Sequence, residues 1–275
     1  MPLIRTSELM KSGRPLAAFN VITLEHAEAI ATGAEAAGTP AVLQISENAV
    51  KYHGGALAPL AAATAAVART SSAPLALHLD HVETVDLLHA AHAHGFGSVM
   101  FDASKLPYAD NVKATAAAVR WAHAREIWLE AELGRIGGKP GDAHTPGVRT
   151  DPAEAAAYVA ETGVDALAVA VGSSHAMTTR TATLDHTLIA TLRATVPVPL
   201  VLHGSSGVPD EELRAAVAAG IRKINVGTAL NRAFTTTLRA SLKAHPGTTD
   251  PRTHLTPARE AMAGVVTQFL AAVRF

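Results

Sequence analysis

Three histidines in this sequence each follow an apolar run typical of a buried strand. His81 ends the segment PLALHLDH, His175 ends ALAVAVGSSH, and His203 ends VPLVLH. The carboxyl ends of buried parallel strands carry the ligands and catalytic groups of α/β enzymes. A single histidine of this kind could simply hydrogen-bond a neighbouring loop, but three together suit zinc, whose catalytic sites use three protein ligands. We therefore predict that His81, His175 and His203 bind one zinc ion.

Acidic residues accompany these histidines at the predicted strand ends. Asp80 directly precedes His81, and we interpret it as the catalytic acid or base, the alternative being that it orients a ligating imidazole. Asp102 and Glu132 end two further predicted strands and could hold a second or alternate metal position. Glu130 shares a strand face with Glu132, so one of the two could instead accept hydrogen bonds inside the fold.

Two glycine-containing turns predict a phosphate site. Each follows a predicted strand and leads into a helix, where backbone N–H groups and the positive end of the helix dipole favour an anion. In (β/α)₈ barrels the loops after strands seven and eight usually bind phosphate. The residues concerned are Gly204, Ser205, Ser206, Asn225, Val226, Gly227 and Thr228.

The metal and phosphate sites together indicate chemistry on a phosphorylated carbonyl compound, with the metal acting as a Lewis acid. A covalent Schiff-base route would need a lysine at an interior strand end. The sixth predicted strand has none, and Lys223 falls early in the eighth, at the wrong end of a barrel. The sequence therefore favours the metal-dependent route.

Apolar strand patterns alternate with helical patterns along the whole chain, which predicts an α/β fold, a single (β/α)₈ TIM barrel spanning residues 1–275 as one domain. A last helix around Thr256–Val273 is additional to the barrel. A doubly wound open sheet is the competing architecture, but it would hold fewer strands. The irregular segment 133–149 is typical of a functional lid. The eight strands are predicted at 16–21, 40–46, 74–80, 98–102, 127–132, 165–171, 199–203 and 222–226.

Composition narrows the classes of partner. The net charge of −1 argues against nucleic acid or an anionic membrane as a partner. The absence of cysteine excludes disulfides and thiolate metal sites and fits the reducing cytoplasm. The first fifteen residues show no signal-peptide pattern, and no stretch has the length of a membrane span. We expect a cytoplasmic enzyme that acts on a small molecule.

Six motifs resemble the class II, zinc-dependent ketose-bisphosphate aldolases, a family that includes fructose- and tagatose-bisphosphate aldolases of carbohydrate metabolism and glycolysis. The likeness extends over almost the whole chain. The motifs are AFNV, LHLDH, GFGSVMFDAS, EAELGRIGG, TDPAEAAAYVAETGVDALAVAVGSSH and PLVLHGSSGVPDEELRAAVAAGIRKINVGT.

The resemblance implies reversible cleavage of a phosphorylated ketose to dihydroxyacetone phosphate and an aldehyde. It implies that His81, His175 and His203 bind zinc and that Asp102 and Glu132 belong to an alternate metal position. It makes Asp80 the proton donor to the aldehyde oxygen. It further implies one catalytic zinc ion per subunit, a monovalent cation near the phosphate, and a homodimer or homotetramer. The residues implied to contact substrate are Asn20, Ser46, Gly204, Ser205, Ser206, Asn225, Val226, Gly227 and Thr228.

The chain departs from the family pattern at three places. Ala176 stands where the family has glycine, which we expect to require a negative φ. The loop that normally carries the glutamate for the C1 proton is short here, with Asp142 or His144 as substitutes. Near the C-terminus the family often has two arginines for the distal phosphate: Arg252 matches the first, Thr256 stands where the second is expected, and Arg259 could compensate.

Two alternative functions remain open from the sequence. A metal-dependent sugar-phosphate isomerase or epimerase could use the same enediolate without breaking a carbon–carbon bond. A non-catalytic aldolase-like subunit would explain the altered loop, although its zinc histidines are intact.

Overall fold

The computed structural model describes residues 3–133, 148–174 and 176–273. Eight parallel strands form a closed barrel in sequence order, with the last strand paired to the first. This confirms the predicted (β/α)₈ barrel and excludes the open sheet. The strands are β1 Leu16–Asn20, β2 Ala41–Ser46, β3 Leu75–Val82, β4 Ser98–Phe101, β5 Trp128–Glu132, β6 Ala166–Ala168, β7 Leu200–Leu202 and β8 Ile221–Val226.

Helices surround the barrel and include two short ones that the sequence did not predict, before β1 and directly after β2. The remaining helices lie where the periodicity places them. In chain order, the described helices are α1 Thr6–Met10, α2 Leu24–Ala37, α3 Glu47–Tyr52, α4 Leu57–Thr70, α5 Val85–Ala93, α6 Tyr108–His123, α7 Pro152–Thr162, α8 His186–Thr195, α9 Asp210–Ala219, α10 Thr228–Ala244 and α11 Arg252–Val273.

The extra C-terminal helix α11 packs along α2 and α10. It begins four residues before the predicted start because Asp250 accepts a hydrogen bond from the backbone N–H of Arg252 and so caps the first turn. Packing against α2 is close at Gly33, where a Cβ atom would lie 2.6 Å from Cβ of Val266. Among the described residues, no helix has both the length and the apolar character that a membrane span needs.

The barrel interior changes character along the strands. At their amino ends, residues such as Leu16, Val42 and Trp128 form small apolar clusters that contact Met10 of α1. Further along, His78, Glu130 and Lys223 are completely buried. Because such interiors are usually filled by branched apolar side chains, a buried layer of charge is a feature that stability alone does not require.

Candidate active site

A cavity of about 540 Å³ opens at the carboxyl ends of the strands. It lies at the end of the barrel where enzymes of this fold place their chemistry. Most of the described residues predicted to contact metal or substrate line it. These are Asn20, Ser46, Asp80, His81, Gly204, Ser206, Asn225, Gly227 and Thr228.

A bulge near the end of β3 allows two neighbouring residues to face this cavity. Successive residues of a regular strand point to opposite faces, so Asp80 and His81 could not both do so in an unbroken ladder. The pairing of β3 with β4 shifts register between Leu79 and Val82, and His81 has a left-handed φ of 51°. The bulge turns the backbone and brings the imidazole and the carboxylate to one site.

The structure brings two of the three predicted zinc histidines together. The ring centroids of His81 and His203 are 4.9 Å apart. Ligand atoms of Asp80, His81 and His203 all lie within 4.8 Å of one another, and the same holds for His81, Asp102 and Glu132. Nitrogen and carboxylate oxygen at this spacing are a donor set that fits a zinc-like ion. His175 lies outside the described residues.

Each of these two imidazoles is oriented by a carboxylate. Asp102 Oδ2 lies 2.9 Å from Nδ1 of His81, and Glu130 Oε1 lies 3.0 Å from Nε2 of His203. Such contacts fix the ring and direct its other nitrogen toward a metal. That nitrogen of His203, Nδ1, lies 3.5 Å from Glu132 Oε2. The sequence left open whether Glu130 or Glu132 acts inside the barrel, and the structure gives the orienting contact to Glu130.

Asp80 is a buried carboxylate in an electropositive setting. Burial alone would raise its pKa, but the neighbouring His81 and His78 hold the pKa well below its usual range. Gln44 Nε2 lies 3.4 Å from Oδ2 and also donates to Asn20 Oδ1. Asp80 is therefore ionised at neutral pH and is able to accept a proton.

Metal binding by the apoprotein is expected to depend steeply on pH. Burial lowers the pKa of His203, but the hydrogen bond to Glu130 and the nearby carboxylate of Glu132 outweigh it and raise the pKa to about 9. Because a metal must displace this proton, zinc affinity should rise about tenfold per pH unit from neutrality and level off near pH 9. Competition with a chelator of known pH dependence measures this, and a flat profile would contradict it.

The phosphate-binding turns meet at one edge of the cavity. Gly204 has a left-handed φ of 68°, which glycine adopts without strain. Ser206 Oγ accepts a hydrogen bond of 3.0 Å from the backbone N–H of Ala229, at the start of α10. Gly227 lies so close to Asn20 that a Cβ atom would be 3.1 Å from Cγ of that side chain. The N-terminus of α10 therefore opens directly into the cavity, where it favours an anion.

Two of the predicted phosphate-binding residues do not line the cavity. The hydroxyl of Ser205 is fully buried and donates to the carbonyl oxygen of Leu202, 3.2 Å away. Val226 packs in the main hydrophobic core. Ser46 does line the cavity, and it also caps α3 by accepting from the backbone N–H of Ala49 at 3.2 Å. A sequence turn of the right composition does not reveal which of its side chains face outward.

Ala176 contradicts the expectation of a negative φ. Its φ is +58°, in the left-handed region that costs an alanine about 1 kcal/mol. We expect Ala176→Gly to stabilise the protein by about 0.5 kcal/mol once the greater freedom of unfolded glycine is subtracted, and thermal unfolding measures this. Ala66→Gly, in the exposed face of α4, is the matched control and should instead lower stability by about 1 kcal/mol. A lower melting temperature for Ala176→Gly would contradict the prediction.

Four further predicted residues are not found at the described site, two of them because the structure does not describe them. Asp142 and His144, the substitutes for the loop glutamate, fall outside the described residues. Arg252 is highly exposed and pairs with Asp250 at 2.6 Å. Arg259 pairs with Glu28 at 2.5 Å on the outer surface between α2 and α11. Within the described part of this chain, neither arginine lines the cavity.

A parallel barrel whose strand ends bring histidines and carboxylates together beside a helix N-terminus has the architecture of a (β/α)₈-barrel enzyme. The chain belongs to the class II fructose-bisphosphate aldolases: the family model described as "Fructose-bisphosphate aldolase class-II" matches residues 6–274. The protein is therefore an aldolase of the lyase class, and the predicted resemblance is confirmed.

Solved structures agree with this assignment. The YdjI aldolase from Escherichia coli K12 is 28% identical with a TM-score of 0.82, and the match covers 97% of this chain and 94% of that chain. A putative fructose-1,6-biphosphate aldolase from Coccidioides immitis is 28% identical with a TM-score of 0.85, covering 98% and 96%. Fructose-bisphosphate aldolase from Campylobacter jejuni shares the fold, at 22% identity, a TM-score of 0.82 and coverage of 99% and 95%.

Proposed function

We propose that this protein is a zinc-dependent aldolase that reversibly cleaves a phosphorylated ketose, such as fructose or tagatose bisphosphate, to dihydroxyacetone phosphate and an aldehyde. The observation that carries the proposal is the meeting of Asp80, His81 and His203 within 4.8 Å. This cluster shares one cavity with the glycine turns and the N-terminus of α10. The proposed metal, proton-transfer and anion sites would thus be adjacent.

His81 and His203 would hold the metal, with His175 as the expected third ligand. Asp102 and Glu132 would hold the metal at an alternate position together with His81. One potential ligand atom from each of these three residues lies within 4.8 Å of the others. When bound, a divalent ion supplies Lewis acidity toward a carbonyl oxygen. Zinc suits this set because imidazole and carboxylate are among its ordinary ligands.

Asp80 would take the proton from the C4 hydroxyl during cleavage and return it to the aldehyde oxygen during synthesis. Its ionised state fits the first role, and its position next to His81 would put it beside a carbonyl oxygen bound at the proposed metal. Asp142 or His144 would move the proton at C1 of dihydroxyacetone phosphate. Asn20, Ser46 and the two glycine turns would hold the phosphorylated half, together with a monovalent cation.

The proposal extends to the setting of the enzyme. A cytoplasmic protein without nucleic-acid or membrane partners fits the near-neutral net charge of −1. A homodimer or homotetramer follows the family resemblance, and light scattering of the purified protein tests it.

A cleavage screen tests the activity. The purified protein is incubated with fructose 1,6-bisphosphate, tagatose 1,6-bisphosphate and the corresponding 1-phosphates, first with zinc and then with a chelator, and released triose phosphate is measured. We expect release with zinc and its loss with chelator. Interconversion of ketoses without triose phosphate would identify an isomerase or epimerase instead, and full activity in chelator would refute metal dependence. Absence of both activities with bound zinc would favour a non-catalytic subunit.

A further inference from the structure

We infer that Lys223 is a positioning residue that fixes the hydrogen-bonding direction of two active-site side chains, His203 and Asn225. The inference rests on the proposed function, in which His203 binds the metal and Asn225 contacts substrate. It assigns a role to a lysine that the sequence placed at the wrong end of the barrel. Although Lys223 lies early in β8, its long side chain reaches the residues beneath the cavity.

Lys223 is completely buried in the barrel interior. Its Nζ atom lies 2.8 Å from Glu130 Oε2 and donates a hydrogen bond of 2.8 Å to Asn225 Oδ1. Lysine is almost never fully buried without a partner, and well-packed apolar residues often stabilise a core as well as a buried ion pair does. A contribution to stability is therefore a weak explanation of this ammonium group, and the two contacts point to another.

The first contact reaches the metal-binding histidine. The two oxygens of Glu130 contact different residues. Oε2 pairs with Nζ of Lys223. Oε1 lies 3.0 Å from Nε2 of His203. The ion pair with the ammonium group favours the ionised form of Glu130, and an ionised carboxylate can only accept hydrogen bonds. The proton on the His203 ring that faces Glu130 is then held at Nε2, and Nδ1 is the nitrogen directed to the metal.

The second contact orients the amide of Asn225. The ammonium group of Lys223 has only donors, so the oxygen of the Asn225 amide must face it. A rotation of the amide by about 180° would instead turn its N–H₂ group, also a donor, toward the ammonium group. Within residues 3–133, 148–174 and 176–273, the buried Nδ2 atom has no hydrogen-bond partner. Asn225 lines the cavity, so its N–H₂ group is the part left to donate to a substrate oxygen. Lys223 thus couples the metal side of the site to the substrate side.

Three variants of the full-length protein separate positioning from charge compensation: Lys223→Met, Glu130→Gln and the double variant. Zinc affinity is measured by chelator competition without substrate, and kcat and KM with the best ketose phosphate at saturating zinc. We expect Lys223→Met to weaken zinc binding about 10- to 100-fold, the range for residues that orient a ligand. Lys113→Met, on the exposed face of α6, is the control and should leave both quantities unchanged.

The double variant is the decisive one, because it removes both buried charges and so avoids the unpaired carboxylate that could unfold Lys223→Met. We expect its melting temperature to approach that of the parent while kcat stays at least about tenfold lower, since the Asn225 amide is no longer held. Recovery of kcat and zinc affinity together would overturn the inference and leave Lys223 a merely structural counter-charge.

A cycle with Asn225→Ala tests the second contact directly. If Lys223 acts through this amide, then at saturating zinc Lys223→Met should cost little further kcat once Asn225 is alanine. Additive losses would overturn that part of the inference. Failure of the proposed function is distinguishable, because it would appear as an inactive parent protein. In that case the zinc affinity of Lys223→Met would still test whether Lys223 acts on His203 through Glu130.

Discussion

Replacing His81 with alanine is expected to remove both bound zinc and cleavage activity. His81 contributes to both clusters of potential ligand atoms, so neither metal position survives its loss. A metal that supplies several kcal/mol to a transition state makes the loss in kcat/KM at least about 10³-fold. Metal content by elemental analysis and triose phosphate release measure the two effects.

The matched control for this variant is His92→Ala, an exposed histidine of α5. It should leave metal content and activity unchanged, because surface substitutions seldom alter stability by more than about 0.5 kcal/mol. The partner of His81, Asp102, keeps hydrogen bonds from the backbone N–H and hydroxyl of Ser104, so the local loop should stay folded. Retention of both zinc and activity in His81→Ala would refute the metal assignment.

Asp80→Asn should separate proton transfer from metal binding. The amide keeps the shape of the carboxylate and can still accept from Gln44 Nε2, but it cannot take a proton from the C4 hydroxyl. We expect kcat for cleavage to fall about 10²- to 10⁴-fold, the usual contribution of a positioned acid or base. Zinc content should be unchanged.

A second readout makes this variant more informative. Exchange of the C1 hydrogen of dihydroxyacetone phosphate with solvent does not use the C4 hydroxyl, so Asp80→Asn should retain it while losing cleavage. Asp86→Asn, in the exposed first turn of α5, is the control and should resemble the parent in both assays. Equal loss of exchange and cleavage would assign Asp80 to orienting the metal ligands instead.

Local sequence signals were sufficient for most of the fold. Asp151 caps α7 by accepting from the backbone N–H groups of Ala153 and Glu154, and Gly38 and Gly163 end their helices in the left-handed conformation. These features depend on neighbours in the sequence, so a single chain reveals them. The predicted β6 was too long, because only Ala166–Ala168 forms a regular strand.

The site was harder to predict where it depends on contacts across the barrel. The order of polar strand ends indicated His81, His203 and Asp80, because parallel strands bring their carboxyl ends together. The assignment of the adjacent residues Asp80 and His81 to one site already implies a bulge, because successive side chains of a regular strand point to opposite faces. The reach of Lys223 to Glu130 depends on barrel register and side-chain length, which no local pattern contains.

The left-handed backbone conformation of His81 implies a trade-off between thermal stability and activity. A non-glycine residue at a φ of 51° costs about 1–2 kcal/mol, and a glycine there would recover part of it. A selection for heat-tolerant variants that does not screen for activity should therefore include His81→Gly. We expect this variant to have a higher melting temperature and no cleavage activity. The left-handed turn that positions His81, the proposed metal ligand, lowers the melting temperature of the enzyme, so thermal engineering should begin elsewhere in the barrel.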